Sequence, residues 1–99
     1  MSPRKIVFAP SFDEELADIA VYIERQFGRS AKDHFLDRLE QLCENVAHFS
    51  GLGLTDHGYD TSLHGVVFGP NWVFFDTTET EVHFIHIVDG RRHKDNVRF

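Results

Sequence analysis

The densest run of chemically capable side chains lies near the end of the chain, at Asp89-Gly90-Arg91-Arg92-His93-Lys94. Two guanidiniums, an imidazole and an ammonium in succession can hold an anionic group, a phosphate or a carboxylate, on a small area. The eight residues before them, Glu81-Val82-His83-Phe84-Ile85-His86-Ile87-Val88, are rich in β-branched and aromatic types. Such a near-continuous apolar run predicts a strand buried on both faces. A buried strand that ends by projecting clustered charge would hold a polar site on a rigid support.

Other groups that could do chemistry are scattered. The seven histidines invite a metal site, but His83 and His86 are three apart on a strand and should point to opposite faces. His34 and His48 sit on one helix about 21 Å apart by its rise, and no H-x-x-x-H or His/Cys cluster occurs. No metal and no cofactor is expected. The single cysteine, Cys43, excludes an internal disulfide and falls on an apolar helical stripe, where a free thiol packs as a small hydrophobe. The glycine-bearing stretch 51–62 matches neither a P-loop nor a dinucleotide fingerprint, and no helix follows it. It reads as a connection.

Ninety-nine residues, 41% of them apolar and ten of them Phe, make one domain (residues 1–99) with a real core. No apolar run reaches the ~18 residues that a membrane-spanning helix needs, so no membrane partner is expected. The first residues lack a signal-peptide core, which points to the cytoplasm. The net charge of −6 argues against a tight nucleic-acid binder. Basic charge is concentrated from Gly90 onward, with Arg91, Arg92, Lys94 and Arg98 against Asp95 alone, while residues 1–49 carry six Lys/Arg against nine Asp/Glu. That asymmetry favours a local anionic contact.

The elements that must position the tip follow from periodicity. Ile6 to Ala9 is a short β-like run closed by Pro10. Ser11-Phe12-Asp13-Glu14 fits a capping box. Behind it Phe12, Leu16, Ile19, Ala20, Ile23 and Phe27 lie on one helical face, and Gly28 is a stop. Ser30 can cap a second helix, whose stripe is Phe35, Leu39, Leu42, Val46 and Phe49, with Gly51 as terminator. The short connection at Gly28-Arg29 forces an antiparallel hairpin. Leu63–Phe68, Trp72–Asp76 and Glu81–Val88 are then three strands joined by short turns, an antiparallel meander. The expected fold is a two-layer α+β domain of order β-α-α-β-β-β, with the helical hairpin packed on a small, mainly antiparallel sheet.

Taken together, these segments resemble the ParE/RelE superfamily of bacterial toxin–antitoxin toxins. The resemblance rests on Phe12-Asp13-Glu14-Glu15-Leu16-Ala17-Asp18-Ile19 with Tyr22-Ile23, Ala31 and Phe35, Trp72-Val73-Phe74-Phe75, and Ile85-His86-Ile87-Val88-Asp89-Gly90-Arg91-Arg92. It runs from about Ile6 to Lys94 and is closer to the ParE side, on the acidic-aromatic start and Tyr-Ile pair of the first helix. It implies a growth-inhibiting toxin held inactive by a cognate ParD-like antitoxin. ParE-like members are described as inhibitors of DNA gyrase; RelE-like members cut messenger RNA on the ribosome. An adaptor domain that has lost activity is the third reading.

The residues favour the first. Metal-free RNA cleavage needs a base, cations and an acid around the scissile phosphate. The RelE-like Arg on the first meander strand would align with His64, and the frequent Tyr with Phe75, which transfers no proton. A nuclease centre would have to be rebuilt from His64, His86 and Arg92. His86 reads more simply as a hydrogen-bonded, half-buried residue fixing the turn into the tip. The chain is therefore expected to be a binding protein rather than an enzyme. Arg91, Arg92, His93 and Lys94 would contact the target, gyrase, with DNA met only through gyrase or the antitoxin. The apolar mass exceeds what a small domain easily buries, so an antitoxin tail could fold onto it as a helix or an added strand. The expected partner-binding set is Phe12, Leu16, Tyr22, Trp72 and Phe75. Trp72 has a second reading, as packing between sheet and helices.

Overall fold

The computed structural model describes residues 3–49 and 53–91. Strand β1 (Lys5–Phe8) leads into α1 (Pro10–Phe27) and α2 (Arg29–His48), and then into β2 (His64–Phe68), β3 (Asn71–Thr77) and β4 (Glu81–Asp89). The expected order and the two-layer α+β architecture are found. The meander pairs antiparallel, and β1 adds to it in parallel beside β4, giving the sheet order β1-β4-β3-β2. The strand that carries the tip is therefore interior along its first half.

Helix α1 does not begin as the capping box suggests. Pro10 occupies the first turn and Ala9 is the N-cap, without a side-chain cap bond. Proline suits that position because its missing N–H would be unsatisfied there in any case. Ser11 is thus inside the helix, and its hydroxyl donates instead to the Ile85 carbonyl at 2.6 Å. Ser30 likewise caps nothing: α2 starts at Arg29 and its N-cap is Gly28. Gly28 ends α1 by donating its N–H to the Glu24 carbonyl at 2.9 Å, at φ 95° and ψ 171°, so one residue closes one helix and opens the next. The terminator expected at Gly51 lies outside the described residues.

One sheet face packs on the hairpin. Phe68, Val73, Phe75, Val82, Phe84 and Ile87 meet Phe12, Leu39, Cys43, Val46 and Ala47 in the main core. Phe84 and Ile87 are three apart yet share this face. The register explains it: Phe75 stands opposite Phe84 but Phe74 stands opposite His86, leaving Ile85 as an extra residue in a β-bulge. A bulge resets the alternation of side chains along its strand. It also corrects the expectation for the histidines. His83 is opposite Asp76 and His86 opposite Phe74, positions two apart on β3, so they do not simply face opposite ways. Their partners nonetheless differ, Glu81 for His83 and Glu15 for His86.

The other sheet face is covered as well, which the reading of 51–62 as a mere connection did not anticipate. Tyr59 packs with Phe74 and Val88, flanked by Leu63 and Trp72, in a second, smaller core. His57 is buried among these rings, edge-on to Phe74 at 5.0 Å between centroids. Its Nδ1 accepts the Tyr59 N–H, so its Nε2 carries the proton and donates to the Leu63 carbonyl at 2.9 Å. A Leu54–Gly65 bridge tacks the segment to the edge of β2. The rings need Gly65: a Cβ there would lie 2.9 Å from Phe74 and 3.1 Å from both His57 and Trp72. No helix among the described residues is long and apolar enough to cross a membrane.

Candidate partner and target surface

The tip of β4 is built by short local contacts. Gly90 donates its N–H to the Pro70 carbonyl at 2.7 Å, locking the strand end to the β2–β3 turn. The approach is close, since a Cβ at Gly90 would stand 3.0 Å from that same oxygen. Arg91 then folds back on Asp89. Its Nε donates to Oδ1 at 3.0 Å and its Nη2 to Oδ2 at 2.8 Å, a bidentate pair, while its backbone N–H also reaches Oδ1 at 2.9 Å. The Asp89 hydrogen bond and charge push the Arg91 pKa still higher. The first charge of the basic run is therefore a paired one, and it stays largely exposed to solvent. Arg92, His93 and Lys94, expected with it in the target contact, lie outside the described residues.

Behind the tip, α1 continues the job of β1. The β1 ladder stops at Phe8↔Phe84, and Ala9 still donates to the Phe84 carbonyl. One helical turn apart, Ser11 and Glu15 then supply side-chain groups to the same edge. Ser11 satisfies the Ile85 carbonyl; the Glu15 carboxylate accepts the Ile87 N–H at 3.2 Å and His86 Nδ1–H at 3.1 Å. His86 is thus hydrogen-bonded and half-buried, as expected from its position. Its partner Glu15 was not singled out by the sequence, where it reads as one of three acidic residues suited to the positive end of a helix.

Of the nuclease candidates, the two described residues, His64 and His86, are not brought together. His64 stacks on Phe75 at 5.6 Å, on β2, while His86 is on β4 with all of β3 between them. Two strand spacings amount to about 10 Å. Phe75, at the position where a proton-transferring Tyr would help, is buried in the main core. Among the described residues no group of three or more His, Cys, Asp or Glu gathers in a manner that could hold a metal ion.

The residues expected to meet a partner divide by burial. Phe12 and Phe75 are 0% and 1% exposed, so they support the surface from beneath and offer none of their own. Leu16 is half-buried against the core and lines a shallow cavity of about 360 Å³ between β1 and the hairpin. Trp72 lies on the outer sheet face beside Tyr59 and Phe74, so it packs away from the helices. Tyr22 is the exposed member. It lines an open, largely apolar groove of about 700 Å³ that runs between the hairpin and the β4 tip, with Ile23, Phe27, Phe35, Asp89 and Arg91 among its walls. Phe27 is 69% and Tyr22 53% exposed. Such apolar exposure beside a polar rim is what protein-binding surfaces present.

A helical hairpin over a four-stranded mixed sheet, with an open apolar groove between the hairpin and the end of β4, describes a small two-layer α+β domain. The family model for the ParE toxin of type II toxin–antitoxin systems (parDE) matches residues 6–94, and the chain belongs to that family. A chain of the chromosomal ParDE toxin–antitoxin system from P. aeruginosa superposes with a TM-score of 0.73, covering 87% of this chain and 95% of that one at 9% identity. At that identity the likeness speaks for the fold. A comparison with curated proteins finds no match.

Proposed function

We propose that this ParE-family toxin acts by binding DNA gyrase and is neutralised by a ParD-like antitoxin that occupies the groove between the hairpin and the β4 tip. The reading is that of a binding protein, and the observation that carries it is the separation of His64 from His86 by an entire strand bearing Phe75. Acid–base cleavage requires its proton carriers within hydrogen-bond reach of one reacting centre. Docking has no such need, and the exposed Arg91 and the apolar walls of Tyr22 and Phe27 suit it. The acidic chain gives a positively charged antitoxin tail an electrostatic advantage in reaching the groove. The test is a supercoiling assay with purified gyrase. Loss of supercoiling with accumulation of cleaved DNA, reversed by the antitoxin, supports the proposal. Untouched gyrase alongside cut messenger RNA in an induced culture would replace it with the nuclease reading.

A further inference from the structure

We propose that Glu15 is the positioning residue of the toxin's tip: its carboxylate takes over from β1 and holds the second half of β4 in the register that presents Asp89 and Arg91. The inference rests on the tip being the target contact, as proposed above.

Three observations converge on it. The parallel ladder between β1 and β4 ends at Phe8↔Phe84, so from Ile85 onward β4 is paired by backbone with β3 alone. At that same point the strand carries its bulge, where the extra residue is left unpaired and the ladder is locally disrupted. Glu15 then grips the strand just past the bulge with two bonds from one carboxylate, to the Ile87 N–H and to His86 Nδ1–H. Ile87 is two residues from Asp89 and pairs with Val73 on the other side, so a shift at Ile87 is passed to the tip through two peptide units. The His86 side chain is 15% and that of Glu15 33% exposed, which keeps water from competing freely for these bonds. Ser11, one turn earlier, holds Ile85 itself. The two side chains form a short run of substitute strand, with Ser11 before the reset of the register and Glu15 after it.

The test compares Glu15→Ala, Glu15→Gln and Ser11→Ala in the full-length toxin, each checked for folding by thermal unfolding and for antitoxin binding. Two readouts are taken: gyrase inhibition per folded molecule, and hydrogen exchange at the Ile87 and Arg91 amides. Glu15→Ala is expected to speed exchange at both amides and to weaken gyrase inhibition about tenfold or more, the equivalent of one hydrogen bond to a charged group. Glu15→Gln keeps an oxygen for the Ile87 N–H and should recover most of both. Ser11→Ala should lower stability without moving the tip amides. If Glu15→Ala leaves exchange at Ile87 and Arg91 unchanged, the positioning role is overturned whatever gyrase does. If the alanine and glutamine variants lose inhibition only in proportion to lost folded protein, Glu15 is structural and nothing more. Should the wild-type toxin fail to inhibit gyrase, the proposed function falls, while the exchange data still decide whether Glu15 holds the tip.

Discussion

Arg91 folds back to clasp Asp89 from two residues away, so the basic end of β4 opens with a neutralised pair. A bidentate guanidinium–carboxylate pair fixes the direction of both groups and uses two of the five guanidinium N–H donors, so the other three can point outward. An exposed pair of this kind adds little to folding. Arg91→Ala should therefore leave thermal unfolding unchanged and yet abolish growth inhibition. Toxicity equal to wild type, in a variant shown to be folded, would take Arg91 out of the target contact.

Gly28 tests a backbone requirement separately from any packing. Its φ of 95° with ψ of 171° is a conformation held almost only by glycine, and a Cβ there would meet nothing within 4 Å. Gly28→Ala should destabilise the protein by about 1–3 kcal/mol through strain alone, read as a lowered denaturant midpoint with an unchanged slope. A neutral result would mean that the hairpin turn relaxes into another geometry.

Gly65 fails for the opposite reason. Its backbone is ordinary, and the obstacle is the set of rings from Phe74, His57 and Trp72 around it. Those rings are packed on one another and cannot simply swing aside. Gly65→Ala should cost about 1–3 kcal/mol by overpacking and should loosen the segment 53–63, seen as faster proteolysis there. Resistance equal to wild type would show that the outer core is less tightly held than its geometry indicates.

These positions also show what the sequence could and could not disclose. The hairpin and the meander were legible because their signals are local: the helical spacing from Phe12 to Phe27, and turn residues such as Gly69-Pro70-Asn71. The parallel pairing of β1 with β4 joins residues some 75 apart in the chain, and no periodicity reports it. Ser11 satisfied a local rule for capping and was used elsewhere, because Pro10 had already opened the helix. Glu15 was invisible for the same reason: its role exists only once Ile85 has bulged and β1 has stopped. The stretch 51–62 reads as a connection because it matches no phosphate-binding fingerprint and no helix follows it, but Tyr59 and His57 were the signal that it had something to cover.

Cys43 gives the protein a pH dependence on the alkaline side. Burial first, then the nearby Glu40 and Glu44 charges, push its pKa from 9.0 to about 12. The folded state thus keeps its proton where the unfolded chain releases it. The associated stability is complete below pH 9 and is lost as pH rises from 9 toward 12. Cys43→Ala or Cys43→Ser should flatten that alkaline fall in melting temperature, whatever either does at neutral pH. At neutral pH the native thiol should resist a disulfide reagent until denaturant is added. Rapid labelling of the native protein would show that the hairpin opens far more readily than its packing suggests.

In the groove, Tyr22 and Phe27 combine large apolar rings with more than half their surface in water. Burying such rings in a complex contributes about 25 cal/mol per Å² of apolar area removed from solvent, and removing them costs the free toxin little. Tyr22→Ser and Phe27→Ser should each leave the melting temperature close to wild type while weakening antitoxin binding by about tenfold or more, a loss of about 1.4 kcal/mol. Titration calorimetry with the purified antitoxin reads that loss directly, and in a cell expressing both proteins it should appear as restored toxicity. Phe12→Ala, in contrast, removes a ring that is fully buried in the main core and should lower stability by about 3–5 kcal/mol. If the two serine variants bound antitoxin as tightly as wild type, the partner would have to cover another face, and the cavity beside Leu16 would be the next surface to probe.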